Sequence, residues 1–208
     1  MRPSARIWGR ALLVLAIWLL PTVLTRAAAP DPPTIIAPAG QLLVAAPGIG
    51  DPRFDHTVIF LIQHDQHGAM GIVINRPLGT EKVSDLLDAL GASGAGATGS
   101  VRLFAGGPVE PEIGFVLHST DYHDPRTRVI AHRFAVTTDT DILKAIGADK
   151  GPKQRLIAFG YAGWGPGQLE NELEHNDWYI APASAELLFQ INRNEVWQRA
   201  YDARRLRL

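Results

Sequence analysis

The sequence predicts an α+β fold: a single compact domain with a large mixed, mostly antiparallel β-sheet flanked by helices. Two observations predict it. Short runs rich in β-branched and aromatic residues dominate the first half, as at residues 57–63 and 101–104, and such residues suit a pleated, half-buried surface. Helical patterns interrupt these runs irregularly, with Val83, Leu86, Leu87 and Leu90 the clearest, and no repeat period appears. Strands and helices mixed in this way indicate α+β with a mixed sheet.

Residues 1–29 read as a signal peptide or N-terminal membrane anchor. Arg2, Arg6 and Arg10 precede an apolar run at 11–24, broken by Pro21, and Ala27, Ala28 and Ala29 follow. That is the order of an export signal. The uninterrupted core is shorter than the ~20 residues of a spanning helix. Residues 30–40 form a Pro-rich linker through Asp31, Pro32, Pro33 and Pro38, a stiff extended composition. The expected location is therefore exported (periplasmic) or inner-membrane-anchored, with a possible tether through residues 11–24. A cytoplasmic protein is the alternative if the start codon is misassigned.

The domain itself is expected at 41–208. Residues 41–46 form a short strand, and 47–52 a loop dense in Pro and Gly. Strands at 57–63 and 69–75 make a hairpin around a polar turn at 64–68, closed by Arg76 and Pro77. A helix follows at 82–90 and stops at Gly91. The Gly- and Ala-rich segment 92–100 reads as a mobile loop. Strands are expected at 101–104, 114–118 and 129–136. A helix at 139–146 has Thr138 as N-cap, and 155–159 is a buried strand. A glycine loop at 160–167 leads into a helix on which Leu169 and Leu173 share a face, leaving Glu170, Glu172 and Glu174 solvated or favouring the helix start. A strand at 177–180 and helices at 185–189 and 195–204 complete the chain.

The chain has no cysteine. Disulfides, thiolate metal sites and thiol nucleophiles are thereby excluded. The formal net charge of −1 argues against a nucleic-acid surface, which shows as a basic excess.

Several ordered motifs can be read together: P-G-I-G-D-P-R-F at 47–54, G-A-M-G-I-V-I-N-R-P at 68–77, G-G-P-V-E-P at 106–111, G-F-V-L-H-S at 114–119, and G-Y-A-G-W-G-P-G-Q-L-E-N-E-L at 160–173. In this order they strongly resemble the bacterial YqgE/AlgH family, over nearly all of 41–208. The resemblance implies a compact α+β domain on a large mixed sheet and no established enzymatic activity. One branch of the family is described as a regulator of alginate production. The family is typically cytoplasmic and often lacks a segment like 92–100, so this chain departs from it in both respects.

Candidate chemistry is thin. His64 and His67, with His56 or Asp55, have suitable metal donors, but histidines in a hairpin turn can point apart. No metal site and no cofactor is therefore expected. His118 and Ser119 supply a base and a hydroxyl, yet neighbours in a strand face opposite sides. The glycines at 160–167 could cradle a phosphate, but the lysine is missing, Pro166 removes a donor and the glutamates would repel an anion. Arg199, Arg204, Arg205 and Arg207 complement a helix C-terminus rather than form a nucleic-acid surface.

What remains is a set of strand ends meeting at one edge of the sheet, where open sheets hold ligands. The candidate groove comprises Asn75, Arg76, Gly106, Gly107, Pro108, Glu110, Gly163, Trp164 and Gln168. Trp164 would be its apolar wall, Arg76 and Glu110 its polar points. The sequence is read as a non-enzymatic binding or regulatory protein with an unknown protein or small-ligand partner. The alternatives are a metal-dependent or hydrolytic enzyme and, without the export segment, a transcriptional regulator.

Overall fold

The computed structural model describes residues 37–204. The export-like segment at 1–29, the linker as far as residue 36, and Arg205 and Arg207 lie outside them. Among the described residues, no helix is long and apolar enough to cross a membrane.

Ten strands form one curled sheet: β1 (Gln41–Ala45), β2 (Val58–Asp65), β3 (Gly68–Val73), β4 (Pro77–Lys82), β5 (Ser100–Ala105), β6 (Val109–Ser119), β7 (Arg128–Ile130), β8 (Phe134–Thr137), β9 (Arg155–Trp164) and β10 (Trp178–Pro182). The main path runs β10-β1-β2-β3-β9-β6-β8-β7, while β4 pairs with β5 and β5 with β9. Every pairing is antiparallel except β5 with β9. The helices are α1 (Val83–Ala89), α2 (Asp141–Gly147), α3 (Gln168–Glu174) and α4 (Val196–Asp202), with a π turn at Glu186–Gln190.

Strand alternation divides the core. On β2, Val58, Phe60 and Ile62 face Leu188 of the π turn and Val196 and Ala200 of α4. Ile59 and Leu61 face the opposite side, with Trp164, Leu169 and Leu173. A third cluster packs Val83 and Leu87 of α1 and Ile142 and Ile146 of α2 over Leu103, Val116 and Ile157. Each fully buried aliphatic or aromatic side chain contributes ~1.5–3 kcal/mol relative to exposure.

The arrangement turns on β9. Ile157 is paired with Leu103 of β5 and with Val116 of β6. A strand has two hydrogen-bonding edges, so β5 and β6 lie on opposite sides of β9. Only Gly106, Gly107 and Pro108 connect them. Two strand spacings are ~10 Å, and four backbone steps span at most ~14 Å. The connection therefore crosses the face of β9 nearly taut. A Cβ on Gly107 would lie 2.0 Å from the Tyr161 carbonyl carbon, and one on Gly160 would lie 2.4 Å from the Gly107 oxygen. Both residues also adopt positive φ, +155° and +75°, where L side chains are strained. Beyond the crossing β3 takes over: Val73 N donates to Gly106 O at 2.8 Å, and Gly71 pairs with Ala162.

Several expectations are corrected. β9 continues through Gly160 to Trp164, so only Gly165, Pro166 and Gly167 form a loop. Neighbouring strands supply the pairing that glycine's weak strand propensity hides. β4 was not expected. All six of its residues are exposed, so it carries no apolar alternation and exists through its ladder with β5. β6 begins at Val109, five residues before the expected start at 114. The single strand expected at 129–136 is two, β7 and β8, joined through Ala131 and His132 at positive φ. Thr138 is not the cap of α2: the Asp139 carboxylate accepts from Asp141 N at 2.8 Å. The segment expected to be mobile is pinned, since Asp88 Oδ1 accepts from Gly94 N at 2.9 Å and Thr98 Oγ1 donates to Gly147 O at 3.0 Å.

Gly107→Ala and Gly160→Ala should each destabilise the domain by roughly 3 kcal/mol or more, among the largest single-site effects. Gly50→Ala, where nothing lies within 4 Å of the new Cβ, should stay within about 0.5 kcal/mol. Urea unfolding of the three variants measures this, and equal effects would remove the crossover as a constraint.

Candidate functional site

The recess beside Trp164 is built from three pieces of chain. β9 delivers Ala162, Gly163 and Trp164, α3 delivers Gln168 and Glu172, and the segment around Asp51, Arg53 and Phe54 forms the facing wall. Pro108 and Val109 close one end, and the cavity measures ≈ 360 Å³. Its floor is aromatic: Trp164 meets Trp178 edge-on at 5.9 Å, and Phe54 meets Trp178 edge-on at 5.4 Å. Such pairs add ~0.5–1.5 kcal/mol beyond burial.

Glu172 organises this floor. Its Oε2 accepts from Trp164 Nε1 at 2.7 Å and from Trp178 Nε1 at 2.8 Å, while Oε1 accepts from Gln168 Nε2 at 2.8 Å. Gln168 Oε1 in turn accepts from Gly165 N at 3.1 Å. Opposite, Asp51 and Arg53 form a forked pair, with Nη2 at 2.6 Å from Oδ2. The Arg53 guanidinium holds the Asp51 carboxyl below the usual range. Glu172 and Gln168 are thus bonded along one wall and Asp51 and Arg53 along the other, while Asp177 also lines the recess.

Of the residues expected in a groove, Pro108, Gly163, Trp164 and Gln168 line this recess. Asn75 and Arg76 do not. Asn75 Oδ1 accepts from Val58 N at 2.9 Å and Nδ2 donates to His56 O at 2.8 Å. Arg76 Nη2 donates to Asp55 O and Thr57 Oγ1 at 2.7 and 2.9 Å. Both side chains therefore fasten the turn that precedes β2. Gly106 and Gly107 are spent on the crossing, and Glu110 is exposed at positive φ in the bulge of β6.

Glu172, Trp178, Phe54, Asp51 and Arg53 were missed. Glu172 stands three residues after Leu169 and one before Leu173, the spacing of one helical face. That spacing could have turned it inward.

The histidines fall differently from expectation. His64 is not in a solvated turn but in β2, with its side chain 0% exposed. Its Nδ1 donates to Ala37 O at 2.8 Å and its Nε2 lies 2.9 Å from Glu170 Oε1, so Glu170 is not a solvated charge either. His67 is exposed in the two-residue turn, and His56 pairs with Asp55. His118 and Ser119 form no nucleophile–base pair. His118 Nδ1 donates to the Ser119 carbonyl at 2.7 Å, while Ser119 Oγ bonds Asp121 and the Gln154 backbone. Arg199 pairs with Glu195, and Arg204 lies 3.6 Å over the Tyr201 ring.

Glu172→Ala would strand two indole N–H donors beneath the recess. We expect a loss of about 2–4 kcal/mol, since charged hydrogen bonds contribute ~1.5–3 kcal/mol each, with a changed tryptophan emission spectrum in the folded protein. Chemical unfolding followed by fluorescence measures both.

His118 is fully buried and its Nε2 has no partner among the described residues. Burial pushes its pKa below the ordinary 6.5, against weaker opposing effects of the Ser119 carbonyl and the Asp121 charge. Between the two values the unfolded chain holds more protons, so stability rises with pH. The contribution is intact above about 6.5 and is lost as pH falls toward the folded pKa. The melting temperature should drop between roughly pH 7 and pH 5, a range around the ordinary histidine value. His118→Leu should flatten that slope in paired thermal melts.

Comparisons with known proteins agree on one family. A family profile described as AlgH-like matches residues 42–207. A UPF0301 protein of Sphingopyxis alaskensis is 48% identical over 162 residues, covering 78% of this chain and 86% of the relative. One of Jannaschia sp. is 47% identical over 164 residues, covering 77% and 85%. The solution structure of the AlgH protein from Pseudomonas aeruginosa matches with a TM-score of 0.70 at 36% identity, over 82% of this chain and 90% of that one. A crystal structure of a Corynebacterium diphtheriae protein shares the fold, with a TM-score of 0.57 at 22% identity over 78% of this chain and 84% of that one. The chain belongs to the YqgE/AlgH family of bacterial AlgH-like proteins.

Proposed function

We propose that this protein is a non-enzymatic binding and regulatory member of its family, held outside the cytoplasm by its N-terminal segment, and that it engages a partner protein at the Trp164 recess. The observation that supports this is the bonding of the Glu172 and Asp51 carboxylates in the walls of the recess. Glu172 is occupied by two indoles and Gln168, and Asp51 by Arg53. A catalytic carboxylate needs a substrate proton or electrophile within reach, whereas these carboxylates hold the walls in place. A rigid aromatic floor with a half-exposed rim suits docking of an apolar side chain, the usual anchor of a protein contact. Val109 is 36% exposed at the rim, and the Arg53–Asp51 pair gives the opposite rim its charge.

A photoreactive amino acid placed at position 109 tests this in intact cells. The expected result is a discrete cross-linked adduct in the envelope fraction, lost when Arg53→Glu is added. Recovery of the chain only in the soluble cytoplasm, or no discrete adduct, would overturn the reading.

A further inference from the structure

A second cleft, away from the recess, lies between the start of β9, β5 and the segment after the π turn. It measures ≈ 860 Å³, within the range of small-molecule sites. Arg102, Lys153, Arg155 and Arg193 line it, with no acidic residue among its walls. That is a local excess in a chain whose formal net charge is −1. None of the ion pairs among the described residues includes any of these four.

Arg193 is the centre of the argument. It is 6% exposed. Its Nη1 donates to Leu188 O at 2.9 Å and Leu187 O at 3.2 Å, and its Nε to Ile191 O at 2.9 Å. These bonds cap the last carbonyls of the π turn. Capping accounts for most of the donors but leaves the positive charge without a counterion, and buried charges are normally paired. Nη2 carries two N–H groups and donates to Ile191 O alone. Arg102, a second cation, lines the same cleft, and burial, then that charge, holds the Arg193 guanidinium below the usual arginine range. Three guanidinium groups and an ammonium lining one space are best relieved by a compact dianion. Guanidinium forks match phosphate oxygens in two-point contacts. Phe104, Leu188 and Phe189 give the same cleft an apolar wall.

We propose that this cleft binds a small phosphate ester, with Arg193, Arg102 and Lys153 taking the phosphate and the Phe104–Phe189 wall taking the organic group. The site is independent of the Trp164 recess, so either can fail alone.

Titration with phenyl phosphate at low ionic strength, followed by amide chemical shifts, tests the proposal. Saturable binding is expected, with the largest shifts at residues 100–102, 153–155 and 192–193. Inorganic phosphate should bind roughly tenfold more weakly, which is about 1.4 kcal/mol. The exposed variants Arg102→Gln and Lys153→Gln should each weaken binding of the ester by about tenfold or more, the scale of losing one charged hydrogen bond. Lys144→Gln on α2 should leave it unchanged. Absence of saturable binding, shifts elsewhere, or unchanged affinity in both cleft variants would overturn the assignment. Equal binding of inorganic phosphate would overturn the ester.

Discussion

The structure depends on one crossing. β9 is paired along both edges, and three residues must carry the chain from one edge to the other over its face. Nothing larger than glycine fits where Gly107 lies against the Tyr161 carbonyl. From that lock follows the position of β6 on one side, of β5 and then β3 on the other, and of Trp164 at the end of β9. The recess is therefore a product of sheet topology: its β9 wall and its Pro108 rim are the two chains that meet at the crossing.

The two concave sites carry charge of opposite sign: Asp51, Glu172 and Asp177 outnumber Arg53 in the recess, while the charged residues of the cleft are all cations. In the recess, one carboxylate holds two indoles, and Asp51 holds Arg53. This is structural polarity, a satisfied network that orders its surroundings. In the cleft beside Arg193, the guanidinium meets carbonyls and no carboxylate, and one Nη2 N–H is left over. Arg76 shows that a place in a motif does not decide a role. Its motif position suggested a ligand contact, yet its guanidinium fastens a turn.

Family and fold class were legible because they rest on ordered motifs and on apolar runs. β1, β2 and β3 and the buried face of α3 appear where those runs put them. What escaped was set by distant pairing. β4 buries none of its residues, and Gly160 to Trp164 looks like a loop unless both neighbours of β9 are known. The site was half legible for the same reason. Glycines and Trp164 mark a place where chains approach closely, but the facing wall at Asp51, Arg53 and Phe54 lies over a hundred residues earlier. Local pattern also misread His64, whose burial is decided by Glu170 across the domain.

The central strand has a consequence in time. β9 is the last strand but one to leave the ribosome, yet it holds together β3, β5 and β6, all made much earlier. Sheets built from such remote partners fold slowly, because loop closure must precede any reward. The first eight strands cannot complete their sheet while β9 is missing, so their apolar faces wait uncovered during synthesis. This late closure leaves the nascent chain dependent on whatever shields it.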